Sequence, residues 1–170
     1  PGSERVTTAA LAAKLGVSEA ALYRHFASKA QMFEGLIEFI ENSVFSLLNQ
    51  IAQEPLDAPD KLRRMLTVLL QFAERNPGMA RVMVGDALVF EHERLSARMV
   101  QLFDRIEAQL RQSLRQSADA RGSTTATVDA QILSSALVSL AIGRLQRYAR
   151  SGFRRSPTEH LDSTLALMAG

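Results

Sequence analysis

The sequence predicts an all-α fold, with an N-terminal helix-turn-helix domain over residues 1–30 and a helical domain over residues 31–170. Three observations carry this expectation. Almost every segment repeats its apolar residues at i, i+3 and i+4, and none alternates like a strand. Breaks bearing proline or glycine fall where those stripes end, at 55–59, 76–78 and 121–124. The spacing of Ala12, Gly16, Val17 and Ser18 suits two short helices joined by a sharp turn.

The first helix is expected from about Thr7 to Leu15, with Ala12 as the small residue where a second helix can cross it. Gly16 suits a turn at positive φ, and Val17 packs beneath that turn. Ser18 caps the next helix, about Ser18 to Ala27, by accepting from an otherwise unpaired backbone N–H. Leu22 and Phe26 face back onto Leu11 and Leu15, which leaves Ala20, Tyr23 and Arg24 pointing outward. Ser28 and Gln31 form a capping box for a long third helix. Its stripe runs through Phe33, Leu36, Ile37, Ile40, Val44, Leu47, Leu48 and Ile51. A fourth helix, about Pro59 to Arg75, carries Leu62, Met65, Leu66, Leu69, Leu70 and Ala73. Asn76-Pro77-Gly78 stops it, and a short helix covers about Met79 to Val84. The longest helix is expected from near Asp86 to near Ala118, striped by Leu95, Met99, Leu102, Phe103, Ile106, Leu110 and Leu114.

A helix from about Thr127 to Arg150 is apolar around most of its circumference, which predicts burial on most sides. Its Ser135, Ser139 and Gly143 permit another helix to approach closely, and with the last helix it is expected to pack against a second copy of itself. Ser156, Pro157 and Glu159 read as the N-terminal cap of that last helix, which runs through Leu161, Leu165 and Met168.

Composition narrows the function. A chain of 170 residues buries roughly 70% of its extended surface on folding. It has no cysteine, so it forms no disulfide and no thiolate metal site. No apolar run approaches the roughly 20 residues of a membrane span, and no signal-peptide pattern opens the chain. A cytoplasmic protein is therefore expected. No metal-binding helix motif, phosphate-binding glycine loop or nucleophile elbow occurs, so no enzyme, cofactor or metal is expected. Only Lys14, Lys29 and Lys61 are lysines. The abundant arginine suits phosphate recognition and equally suits codon bias in a GC-rich genome.

The helix-turn-helix carries the chemistry. From Arg5 to Lys29 the bases Arg5, Lys14, Arg24 and Lys29 stand against Glu19 alone. Tyr23-Arg24-His25 closes the second helix, where such side chains meet phosphates, while the outward face of that helix is free to enter a major groove. The alternative is an ordinary helical hairpin with a glycine C-cap. Two other clusters read as structural. Glu91-His92-Glu93 sits on a surface helix, because adjacent helical residues diverge. Arg144, Arg147, Arg150, Arg154 and Arg155 form a basic helix end that favours the helix dipole or meets an acidic partner.

The signature Gly16-Val17-Ser18-x-x-x-Leu22-Tyr23-x-His25-Phe26-x-Ser28-Lys29 resembles the TetR family of DNA-binding regulators. Four segments are similar, more specifically, to a nucleoid-occlusion branch of that family. They are 16–29, Leu36-Ile37-Glu38-Phe39-Ile40-Glu41, Glu74-Arg75-Asn76-Pro77-Gly78, and the run from Leu102 to Gln112. The resemblance implies a homodimer on palindromic double-stranded DNA, contacted by Thr7, Thr8, Ser18, Glu19, Ala20, Ala21, Tyr23, Arg24, His25 and Lys29. Of these, Ser18 to Ala21 and Arg24 would read base edges, and Thr8, Tyr23, His25 and Lys29 would hold phosphates.

The resemblance also implies binding of the division protein FtsZ through Phe39, Arg75 and Asn76, blocking septal ring assembly over the nucleoid. Residue by residue, the two sequences part at Leu47, where it leads one to expect arginine, and at Gln71, where it leads one to expect glycine. The family places a further helix ahead of the helix-turn-helix, and Pro1-Gly2-Ser3-Glu4-Arg5 stands where that helix is expected to have ended. The alternative reading is a repressor switched by a small apolar ligand in its helical core.

Overall fold

Long apolar stripes become long helices. The computed structural model describes residues 12–13, 16, 18, 20–21, 29–89, 91–120, 122 and 124–169. After the helix-turn-helix the order is α1 (Lys29–Ala52), α2 (Ala58–Arg75), α3 (Pro77–Met83), a 3₁₀ turn (Asp86–Leu88), α4 (Glu93–Ala120), α5 (Ala126–Arg150) and α6 (Leu161–Ala169). No strand occurs among the described residues.

The core forms where α1, α2 and α4 meet. Phe33, Ile37, Ile40 and Leu48 of α1, Met65, Leu66, Leu69 and Leu70 of α2, and Leu95, Leu102 and Ile106 of α4 are all under 2% exposed. Their removal from water is the main driving force for assembling these helices. Ala12 of the helix-turn-helix is buried with this same cluster. α1 and α4 run side by side in one direction, joined on their polar edge by Glu34–Arg94, Glu41–Arg98 and Asn49–Gln109. The Arg105 guanidinium lies 4.0 Å from the centre of the Phe45 ring on the same seam. α5 packs along α4, and its Leu137, Ala141 and Leu145 are buried.

Several boundaries differ from the sequence expectation. The longest helix starts at Glu93, not near Asp86. Gly85, at φ 86°, ends the short preceding helix, and a 3₁₀ turn follows. The His92 Nδ1 then accepts from the Arg94 N–H at 3.1 Å, marking the true start of the helix. Asp57, ahead of the expected start, caps α2 by accepting from the Asp60 N–H at 3.0 Å. Ser156 does not cap the last helix. Its hydroxyl donates to Glu74 Oε2 at 2.8 Å, and the chain turns once more before α6 begins at Leu161. The capping residue Ser28 lies outside the described residues.

The helix around 127–150 is also less enclosed than its composition suggested. Val128 and Ile132 are 56% and 65% exposed. By length and composition Thr127–Arg150 is apolar enough to cross a membrane, with a mean hydropathy of 1.3, which corrects the expectation that no segment approaches that length. In the fold this helix packs against α4.

Candidate DNA-binding and partner-binding sites

The turn of the helix-turn-helix is built as its residues require. Gly16 takes φ 71°, a conformation glycine adopts without a Cβ penalty, and its N–H donates to the Ala13 carbonyl at 3.2 Å. Ser18 Oγ accepts from the Ala21 N–H at 3.1 Å, so the second helix is capped by the expected hydroxyl. Ala20, on the helix that follows, is exposed, and Ala12, ahead of the turn, is buried at 3%. Thr7, Thr8, Glu19, Tyr23, Arg24 and His25 lie outside the described residues. Lys29 opens α1, and its ammonium lies 3.0 Å from Glu91 Oε1. Glu91 is therefore not on a surface helix, as its polar neighbours suggested. It precedes α4, and its side chain is only 8% exposed. His92 and Glu93 are exposed as expected.

The second cluster lies on the α1–α2 face. Phe39 points off the main stripe of α1 and is 47% exposed. Its ring sits 6.2 Å from that of Phe72 at an interplanar angle of 40°. Phe72 is buried at 9%, so it forms a wall that the sequence reading did not name. Four residues on, Asn76 Nδ2 donates to the Phe72 carbonyl at 2.8 Å and closes α2. This is the helix-stop role that competes with a binding role for Asn76, and the side chain's Oδ1 is not used by that bond. Arg75, the last residue of α2, is exposed. Leu47, two turns beyond Phe39 on α1, is 37% exposed and extends the apolar edge. Phe72 thus touches both residues, its ring facing Phe39 and its carbonyl accepting from Asn76, with Arg75 next to Asn76 in the chain.

The end of α2 is anchored from behind. Tyr148 of α5 is 4% exposed, and its hydroxyl donates to the Glu74 carbonyl at 2.9 Å. Burial first, and the nearby Glu74 charge second, push the Tyr148 hydroxyl above its usual pKa. The Glu74 carboxylate accepts from Ser156 at 2.8 Å and from Thr158 at 3.2 Å. Arg144 donates to the Glu159 carbonyl and to Thr164 Oγ1, so one member of the basic helix end is spent on positioning α6.

Comparison with known proteins fits this arrangement. Residues 2–36 match the family of bacterial regulatory proteins of the tetR type, and residues 57–169 match a tetracyclin repressor-like C-terminal domain of SlmA-like kind. The chain is 52% identical over 168 residues to the nucleoid occlusion factor SlmA of Photobacterium profundum, covering 99% of this chain and 85% of that protein. It is 51% identical over the same length to the SlmA proteins of Vibrio vulnificus and of Serratia proteamaculans, covering 99% of this chain and 85% and 84% of theirs. The chain therefore belongs to the TetR family of bacterial regulatory proteins, on its SlmA-like branch.

Proposed function

We propose that this protein is a nucleoid occlusion factor. As a homodimer it binds a palindromic site on double-stranded DNA, and it binds FtsZ to block septal ring assembly over the nucleoid. The observation that carries the reading is identity of about half over nearly the whole chain to proteins named for that role. Those relatives are DNA-binding regulators of the TetR type, so the protein acts by binding and not by catalysis.

On DNA, Ser18, Glu19, Ala20, Ala21 and Arg24 read base edges in the major groove, Thr8, Tyr23, His25 and Lys29 fix the backbone, and Thr7 belongs to the same surface. The capped, exposed start of the second helix supports this assignment. FtsZ meets Phe39, Arg75 and Asn76. A half-exposed aromatic beside an exposed arginine is the composition of a binding hot spot. Val128 and Ile132 of α5, with Leu167 and Met168 of α6, leave an apolar face uncovered in the single chain, which supports an isologous dimer through these two helices. The protein works in the cytoplasm, on the nucleoid.

The test is a pull-down of FtsZ by the protein, with and without operator DNA. Capture of FtsZ is expected, and its failure in both conditions would remove the division role. A second reading, a repressor switched by a small apolar ligand, is supported by a cleft of about 230 Å³ walled by Leu62, Leu133, Leu137, Leu165 and Met168. Release of operator DNA by an apolar ligand, without FtsZ capture, would favour it.

A further inference from the structure

Lys29 stands at the joint between the helix-turn-helix and the helical domain, and its ammonium is already engaged. Glu91 Oε1 lies 3.0 Å away, on a side chain 8% exposed, while the Lys29 side chain is 23% exposed. The ring of Phe33 is 5.7 Å from the same nitrogen. A carboxylate this buried is strongly destabilising when its cation leaves. An ammonium has three donors, and a single carboxylate oxygen stands beside it as its ion-pair partner. Lys29 can therefore meet a phosphate without leaving Glu91. Further along, Arg94 pairs with Glu34, and Arg98 with Glu41 at 2.9 Å. These pairs hold the start of α4, which directly follows Glu91, against α1.

We propose that Glu91 is a positioning residue of the DNA interface, holding the Lys29 ammonium at the start of α1 where it meets a backbone phosphate. The inference rests on the phosphate role proposed above for Lys29. It makes a prediction opposite in sign to simple electrostatics. Removing a negative charge near DNA raises affinity through the overall field, whereas loosening Lys29 lowers it.

The experiment is a double-mutant cycle in the full-length protein, measuring affinity for operator and for random duplex across a salt series. Lys29→Ala is expected to weaken both duplexes alike and to lower the salt slope by about one. Glu91→Gln is expected to weaken both duplexes by the same factor, roughly two- to fivefold, the size of a single ion pair's net contribution. In the Lys29→Ala background, Glu91→Gln is expected to cost clearly less than in the wild-type background. Glu91→Asp keeps the charge but shortens its reach, and should lie between wild type and Glu91→Gln. Thermal melting of each variant shows that the comparison is made on folded protein.

Tighter binding by Glu91→Gln would overturn the proposal, since the carboxylate would then act only as a counter-charge. An equal loss in the Lys29→Ala background would also overturn it, since Glu91 would then act through the core. If Lys29→Ala itself changes neither affinity nor slope, the phosphate role of Lys29 fails first and the proposal falls with it. That pattern is distinct from the other two.

Discussion

Truncating Phe39 separates a binding surface from a core position. A wholly buried phenylalanine loses about 3–5 kcal/mol on truncation to alanine. Phe39 is 47% exposed, so only about half of its area is removed from water in the single chain. Full burial of such a side chain contributes about 1.5–3 kcal/mol, so half contributes about 1 kcal/mol. The tilted pair with Phe72, at 6.2 Å, adds about 0.5–1.5 kcal/mol. The expected cost of Phe39→Ala is therefore about 2 kcal/mol, a fall in Tm of about 4–8 °C for a chain of this size.

Binding should suffer more than folding. An aromatic anchor at an interface loses about 2 kcal/mol or more on truncation, which is roughly a thirtyfold rise in Kd for FtsZ. The assay pairs calorimetric melting with titration of labelled FtsZ at a temperature well below both transitions. Unchanged FtsZ affinity would refute the assignment of Phe39 to the interface. A loss of stability near 4–5 kcal/mol would refute the burial argument, because the ring would then be behaving as core.

Four further outcomes are expected. Arg75→Asp should abolish FtsZ binding by reversing charge beside Asn76, while sedimentation, helical content and operator affinity stay as in wild type, since Arg75 is exposed. Arg24→Ala should reduce discrimination between operator and random duplex; unchanged discrimination would remove its base-reading role. Ile132→Asp places a charge on the exposed apolar face of α5 and should convert a dimer to a monomer by sedimentation, because a stable interface of this kind buries more than about 1,200 Å². Tyr148→Phe should lower stability by about 1 kcal/mol through loss of the bond to the Glu74 carbonyl. The Tyr148 pKa is raised in the fold, so the native state holds its proton where the unfolded chain begins to lose it. Its contribution is therefore complete below about pH 10 and declines as pH rises from there. Chemical unfolding between pH 8 and 11 should show that decline in wild type and a shallower one in Tyr148→Phe.

Local signals reached the helices but not the contacts between distant segments. The stripes of α1, α2 and α5 are long enough that their ends fall within a residue or two of the expected places. Phe39 is half-exposed because it sits beside the stripe of Leu36, Ile37 and Ile40 and not within it. The start of α4 at Glu93 was hidden, because Glu91-His92-Glu93-Arg94 carries no proline or glycine to separate the apolar Ala87 to Val89 from the stripe that begins at Leu95. Ser156 carries every local mark of a helix cap, yet its hydroxyl goes to a carboxylate 82 residues earlier. Glu91 looked like surface for the same reason: its neighbours are polar, and its cation is at the start of α1. Phe72 shares the apolar stripe of α2, and nothing in sequence marks it as the wall behind Phe39.

Glu74 gathers three donors from one short stretch of chain: Tyr148 on its carbonyl, and Ser156 and Thr158 on its carboxylate. The segment from the end of α5 to the start of α6 consequently has no way to open in stages. Lifting the loop at residues 156–158 away from α2 means releasing its two hydroxyls from the Glu74 carboxylate. In amide exchange that stretch and residues 72–76 should form one cooperative unit with a shared opening free energy, slower than the same loop would show in Glu74→Ala. The stretch of α2 that ends in Arg75 would then keep its shape only as long as the loop behind it stays closed.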